Sequence, residues 1–443
     1  MSAPPPSADP ERGRRIRELH RRHVFSSWVA QGSFDPVPLA GGEGARLWDH
    51  DGNSWIDLTS QLVNANLGYN HPRLVAAIQE AAGDLATVSP GFAHESRAEA
   101  ARMVAEVAPE GMDRVYFTTG GAEAVEHAIR MARSHTGRLK VLASYRSYHG
   151  ATSGAASLTG EPRRWGAEPG LPGVVHFWGP HLYRTAFHAT TEEEESQRAL
   201  EHLRATVLAE GPHLVAAVVL ETVAGSPGVL VPPPGYLEGV RALCDEFGIL
   251  LVLDEVMAGF GRTGRWLALD RWGVRPDLLT FAKGVNSGYV PLGGVVLGEH
   301  VARSFDDRPY PGGSTYQGHP LACASAVAAM TIMKEEGTVE HADRVGEEVL
   351  GPGLRDLVQR HQLVGDVRGL GVFWAVELVA DRATREPVGG EVMGRVLAAC
   401  RERGAWPLVM GNRLHVVPPC VITQDEASQA VAAVDGALQE VGS

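Results

Sequence analysis

Cysteine is scarce in this 443-residue chain: Cys244, Cys323, Cys400 and Cys420 are far apart and form no CxxC pair. That spacing argues against a disulfide framework and against a cysteine-based zinc site, and it fits a reducing compartment. Long apolar runs are also absent, none approaching the ~20 residues a membrane helix needs. The opening MSAPPPSADP has no apolar segment of the kind a secretory signal carries. Basic residues are in the minority, 40 Lys and Arg against 53 Asp and Glu, for a net charge of −13. This balance argues against a nucleic-acid surface spread over the molecule. The expectation is a cytoplasmic protein with no membrane partner, no nucleic-acid partner and no metal site.

What is present is an ordinary globular composition, 44% hydrophobic and 21% charged, long enough to bury a large core. Length alone suggests about two to three domains. Residues 1–20 are expected to be disordered or an arm. Within them, and running on to Arg22, six arginines fall in ERGRRIRELHRR, a pattern that fits a solvated helix. ARLWDHDGNSWIDL predicts two short strands around the Asp51-Gly52 turn.

Strand and helix signals then alternate. RVYF (114–117) predicts a strand, and EAVEHAIRMARSHTG a helix with Ala124, Ala128 and Met131 on one face and Gly137 as its stop. LVAAVVLE (214–221) is continuously apolar, as a strand covered on both faces must be. GYLEGVRALCDEFG repeats apolar residues at helical spacing. ILLVLDE, DLLTFAKG and GGVVLG predict further buried strands. TTEEEESQRAL (190–200) reads only as the acidic first turn of a helix. The alternation implies an α/β fold with a mostly parallel sheet covered by helices, in which ligands collect at the carboxyl ends of the strands.

Beyond about residue 320 the pattern changes to helices and mixed short strands around GLGVFWAVEL and RLHVVPP. A final helix opens on a capping box from Thr423 to Glu426. The expected division is residues 21–70 as the N-terminal part of a small α+β domain, 71–318 as the large domain and 319–443 as the rest of the small domain.

Several residues point to chemistry at those strand ends. Lys283 directly follows an apolar strand, where desolvation favours a neutral, nucleophilic amine; a lysine snorkelling to solvent is the plainer reading. TTGGAEAV places two glycines at a helix start, a compact anion site, though a simple turn has the same pattern. Tyr148 and His149 follow a strand and could meet a planar ligand. Asp254 ends its own strand and suits a cation such as a protonated pyridine nitrogen; a structural ion pair is the alternative. Together they supply what pyridoxal phosphate requires: an amine, an anion for the ring nitrogen, a backbone nest for phosphate and an aromatic for the ring.

From LWDHDGNSWIDL to VVPPCVIT the chain resembles the class III aminotransferases, the ω-aminotransferase-like branch of the fold-type I pyridoxal-phosphate enzymes. GGAEAVEHAIR, YHG, ILLVLDEVMAGFGRTG, TFAKGVNSGYVPLGGVV and STYQGHPLACASA carry the resemblance. It implies that Lys283 joins the cofactor covalently and moves the proton between substrate and cofactor carbons. Asp254 would pair with the pyridine nitrogen. Val256 and Tyr148 would pack on the two ring faces, with His149 beside Tyr148. Gly120, Gly121 and Ala122 would hold the phosphate, Glu221 would lie beside the phenolic oxygen and the substrate, and Thr315 would reach the phosphate of a neighbouring subunit. The implied assembly is a homodimer with shared active sites, or a tetramer of such pairs. Glu255 is expected to be structural, oriented by GFGRTG around Arg262.

The chain also departs from the family pattern. Ala122 stands where a serine is common, Val125 where an asparagine is common and Val63 where an aromatic is common. Leu408 stands where many relatives have a mobile arginine, with Arg413 near but out of register. Trp28, Val63, Leu408 and Arg413 are therefore candidates for the substrate pocket. The implied activity moves an amino group from a small amine or ω-amino acid of the taurine or β-alanine kind to a keto acid such as pyruvate, in a ping-pong exchange through pyridoxamine phosphate. A racemase, epimerase or decarboxylase on the same fold is the alternative. A nicotinamide dehydrogenase is disfavoured because no GxGxxG turn occurs in the right context. A non-enzymatic binding protein of this fold would need more than the arginine-rich arm.

Overall fold

The computed structural model describes residues 8–442. The first strands are β1 (Leu39–Glu43), β2 (Arg46–Asp49) and β3 (Ser54–Leu58). Seven strands follow: β4 (Arg114–Thr118), β5 (Lys140–Ser144), β6 (Val174–Phe177), β7 (Val215–Glu221), β8 (Leu250–Asp254), β9 (Leu278–Phe281) and β10 (Gly293–Leu297). The last five are β11 (Val364–Leu370), β12 (Phe373–Asp381), β13 (Glu386–Pro387), β14 (Ala405–Met410) and β15 (Arg413–Val416).

The seven middle strands form one sheet in the order β4-β10-β9-β8-β7-β5-β6. All neighbours are parallel except β10, which runs against both β4 and β9. Every residue of β8 and β9, and all of β7 except Glu221, is buried. That is why these strands carry no alternating pattern: helices cover both faces. Each buried Val or Leu there contributes roughly 1.5–3 kcal/mol. The helix Gly121–Thr136 turns its Ala124, Ala128 and Met131 into the core and ends on Gly137 at φ 69°. The helix Tyr236–Phe247 ends on Gly248 at φ 59° and delivers the chain to β8.

The second sheet joins both ends of the chain. β1, β2 and β3 form a meander whose turn is anchored by the Asp49 carboxylate, which accepts from the Asp51 and Asn53 N–H groups at 2.9 and 2.8 Å. β3 then pairs in parallel with β14, Ile56 facing Ala405, and the order continues through β15 and β12 to β11. The capping box forms: Thr423 Oγ1 accepts from Glu426 N–H, and Glu426 accepts from Thr423 N–H, both at 3.2 Å.

One expectation needs correction. The helix Pro320–Glu335 was assigned to the second unit, but its Ala322, Cys323, Ala326 and Met330 pack in the first core with Leu251, Leu279 and Phe281. The second core, around Trp374, Val376 and Leu414, takes Ala45, Ile56 and Leu58 from the N-terminal strands and is re-entered only at Ala342 and Val345. An alanine-rich helix with several apolar faces can bury itself in either core, so its sequence does not choose. Of the N-terminal arm, residues 1–7 lie outside the described residues, and Pro10–His23 forms the helix that its arginine-rich pattern fits. Asp9 caps it by accepting from Arg12 N–H, Pro10 occupies its first turn and basic residues fill its last turn. No helix among the described residues is long and apolar enough to cross a membrane.

Candidate active site

The register of the parallel sheet builds the site. Glu221 lies opposite Asp254, and Asp254 opposite Thr280. Two carboxylates therefore end adjacent strands, and Lys283 follows the end of the next.

Asp254 is 3% exposed. Its Oδ2 accepts from His149 Nδ1 at 2.8 Å and its Oδ1 from Val256 N–H at 3.0 Å. Burial pulls the His149 pKa down, but the hydrogen bond and charge of Asp254 outweigh it and leave the imidazole above its ordinary value. The other ring nitrogen, His149 Nε2, is buried without a partner among the described residues. Glu221 accepts from two backbone groups, Tyr148 N–H and Gly225 N–H, each at 2.9 Å. Burial pushes its carboxyl up to about 7; Asp254 adds to the rise, while His149 and the two N–H bonds oppose it.

Lys283 sits at φ 49°, in the left-handed region that a non-glycine residue occupies only under strain. No ion pair holds its ammonium among the described residues. Burial lowers its pKa to about 8, against the fields of Glu221 and Asp254. Near neutral pH it has a usable fraction of free amine.

The glycine turn closes the other side. A Cβ on Gly121 would lie 2.7 Å from Val256 Cγ1, so the helix start and the residue two past Asp254 are in direct contact. A Cβ on Gly293 would come within 2.8 Å of the Gly120 carbonyl carbon, and one on Gly150 would overlap Ala122. The turn 120–122, which opens a 16-residue helix, thus packs against Val256, Gly150 and Gly293, with the first N–H groups of that helix beside them.

Sequence reasoning missed Arg163. Its guanidinium lies 3.7 Å over the Tyr148 ring and 6.0 Å from the exposed Trp28. It pairs with Glu161 and donates to Ser226 Oγ at 2.8 Å, and its charge is felt at Lys283. Nothing in EPRRWG marks one of its two arginines for this place.

Of the remaining candidates, Val63 and Leu408 meet in one apolar cluster. Val63 is 1% exposed in an apolar cluster with Val223, Phe373 and Val417, on which Leu408 and Met257 pack. Arg413 is paired through its strand with Glu377, and its side chain lies against Gly228. Thr315 is exposed in the loop before Pro320 and makes no hydrogen bond among the described residues. Glu255 is structural, but Arg262 does not orient it. Its oxygens accept from Ala268 and Leu269 N–H, both at 2.8 Å, whereas Arg262 donates to the Pro418 carbonyl and to Asn66 Oδ1.

A buried amine with no ion-pair partner among the described residues, a carboxylate held by a histidine, and a glycine-lined helix start, all at the carboxyl edge of one sheet, fit a cofactor with a carbonyl, a ring nitrogen and a phosphate. A fold of this kind carrying such a site defines a pyridoxal-phosphate enzyme of fold type I. Residues 29–438 match the family model for aminotransferase class-III, and the chain belongs to that family. It is an aminotransferase that uses pyridoxal 5'-phosphate and moves amino groups from amines to keto acids. The chain is 37% identical to acetylornithine aminotransferase of Methanopyrus kandleri, over 92% of this chain and 95% of that one. It is 32% identical to taurine–pyruvate aminotransferase of Bilophila wadsworthia, over 96% of each. The crystal structure of taurine:2-oxoglutarate aminotransferase from Bifidobacterium kashiwanohense, in complex with pyridoxal phosphate and glutamate, superposes with a TM-score of 0.94 at 39% identity, covering 97% of this chain and 98% of that one.

Proposed function

We propose that this aminotransferase takes its amino group from a small ω-amino acid of the taurine or β-alanine type and delivers it to a small keto acid such as pyruvate, working as a homodimer in the cytoplasm. The observation that carries the reading is the grouping of Glu221, Asp254 and an unpaired Lys283 at three neighbouring strand ends, with Arg163 over Tyr148. Pyridoxal phosphate, when bound, supplies a carbonyl for the amine and a ring that withdraws electrons from the reacting carbon.

The chain's residues do the rest. Lys283 Nζ holds the cofactor and then carries the proton, a role that suits an amine whose pKa burial has lowered to about 8. Asp254, steadied by His149, faces the ring nitrogen. Gly120, Gly121 and Ala122 receive the phosphate through backbone N–H groups, Val256 and Tyr148 enclose the ring, and Glu221 borders the substrate. Thr315, exposed in this chain, serves the partner's site. Arg163 takes the acidic end of the donor, a role open because Leu408 is apolar. Trp28, 6.0 Å from the Arg163 guanidinium, and Val63 complete the wall.

The test loads the protein with pyridoxal phosphate and adds taurine, β-alanine, γ-aminobutyrate, L-alanine or a diamine singly, with no acceptor. The absorption of the bound cofactor is followed, and Lys283→Ala is the control. Conversion by taurine or β-alanine in the wild type, without turnover in the control, is the expected result. Conversion by L-alanine or the diamine alone would discard the substrate class. Light scattering on the loaded protein checks the dimer.

A further inference from the structure

Glu221 receives both its hydrogen bonds from backbone, so the aim of its carboxylate depends on what fixes those peptides. One of them belongs to Gly225. A side chain there would collide with Met257 and come within 3.0 Å of Phe373 Cζ. Met257 follows β8 in the first sheet, and Phe373 opens β12 in the second. Gly225 is therefore threaded between the two sheets. Its carbonyl accepts from Gly228 N–H at 2.9 Å, from Val229 N–H at 3.0 Å and from His415 Nε2 at 3.1 Å.

His415 reaches it from the second sheet. It lies on β15 opposite Leu408 and Ala375 and is 1% exposed. Facing a carbonyl, Nε2 carries the proton, and Nδ1 is left buried without a partner among the described residues. Burial pushes the imidazole down to about 4, and the Arg413 and Arg368 charges act the same way despite the Gly225 bond. The ring is neutral across the working pH range, so this contact does not switch. An apolar residue would suit the neighbouring cluster of Phe373, Ala375 and Val417 without leaving a buried nitrogen unsatisfied. What an apolar residue could not do is hold the Gly225 carbonyl.

We propose that His415 is a positioning residue for the transamination: by fixing the Gly225 carbonyl it keeps Gly225 N–H on Glu221, and so sets the direction and the proton affinity of that carboxyl. This rests on the reading of Glu221 as a group of the active site. The charged groups around Glu221 are His149, Asp254 and Lys283, with Tyr145, Arg146 and Tyr236 lining a small chamber of about 50 Å³ behind it. None of these donates a side-chain hydrogen bond to the carboxylate among the described residues. The backbone bonds are thus the part of its environment that a change at His415 can alter.

The experiment compares the pyridoxal-phosphate-loaded wild type with His415→Leu and with His415→Gln, whose amide nitrogen takes the place of Nε2 and can still donate to the Gly225 carbonyl. Glu221→Gln identifies which step in the pH profile of kcat/KM belongs to Glu221. In His415→Leu that step moves up by about one pH unit. KM for the best amine rises about tenfold, with a smaller change in kcat. Deuterium exchange over residues 222–229 quickens as well. His415→Gln restores all three. Faster exchange with an unmoved pH step and KM would make His415 a loop brace only and overturn the proposal, as would no change in any of them. Should the leucine variant not fold, the wild type still tests the geometry, because rapid exchange at 222–229 contradicts a pinned Gly225. If Glu221→Gln itself leaves the profile and KM untouched, it is the reading of Glu221 that fails, not the His415 link.

Discussion

Glu377 in the second sheet and Lys283 in the first are both charges taken from water, and the molecule treats them in opposite ways. Glu377 is fully buried on β12 between Arg184 and Arg368, whose Nη2 donates at 2.8 Å. Burial alone would raise its pKa, but Arg368 and Arg184 hold it below the usual carboxylate range. Arg368 in turn donates to Asp366 and to the Gly228 carbonyl, both at 2.6 Å. Among the described residues Lys283 has no such partner, His149 Nε2 has none, and Glu221 is met by hydrogen bonds from backbone alone. The difference separates two uses of buried charge. Charge that holds the fold together is neutralised in place. Charge kept for chemistry is left incompletely matched, because a fully satisfied group has nothing to offer a substrate.

Four changes test this contrast. Removing the amine has the largest effect: Lys283→Ala lowers kcat/KM by on the order of a thousandfold or more. Its melting temperature stays close to the wild type, because no ion pair is broken. Asp254→Asn lowers kcat/KM by roughly a hundredfold or more, and it also returns the His149 pKa downward, which a histidine NMR titration detects. Glu377→Ala sharpens the other side. Leaving Arg184 and Arg368 unmatched destabilises the fold by about 3–5 kcal/mol, read by denaturant unfolding, while kcat at low temperature changes little. Equal loss of activity in Glu377→Ala and Lys283→Ala would erase the distinction. Arg163→Ala raises KM for an acidic amine about tenfold and leaves an uncharged amine of the same length unaffected.

The smallest effect is in stability against pH. The folded-state pKa of His415 is depressed to about 4 from 6.5. A histidine depressed in this way contributes stability that is present above its unfolded pKa and lost as pH falls through the folded one. The deficit of His415→Leu relative to wild type should therefore shrink between pH 7 and pH 5. A deficit that grows on acidification would mean that the ring is charged in the fold.

Much of this site was legible because strand ends are visible in sequence. The run LLVLD stops at Asp254 and LLTF stops just short of Lys283, so both fall where parallel strands emerge from their cover. His149 was legible as a loop residue, but not as the partner of Asp254, which lies 105 residues away and is reached only through the order of β5, β7 and β8. Arg163 was invisible: it sits in a short turn with no periodicity, and what defines it is the Tyr148 ring beneath it. Glu255 was read as structural, correctly, but was given the wrong neighbour. A buried carboxylate takes whichever N–H groups are free, and here these opened the short helix at Ala268.

By itself the sequence determined the alternation of buried strands and helices, the residues that end each strand, and hence the chemical groups available at one edge of the sheet. Hydrophobic periodicity and turn residues act over a few positions, and local order is enough to express them. Tertiary structure alone decided which charges are matched and which are left free, that Pro320–Glu335 belongs to the first core, and that Gly225 is held between Glu221 and His415. Those outcomes depend on strand register and on fields and hydrogen bonds reaching a few ångströms between segments far apart in the chain. Such distances exist only once the chain has folded.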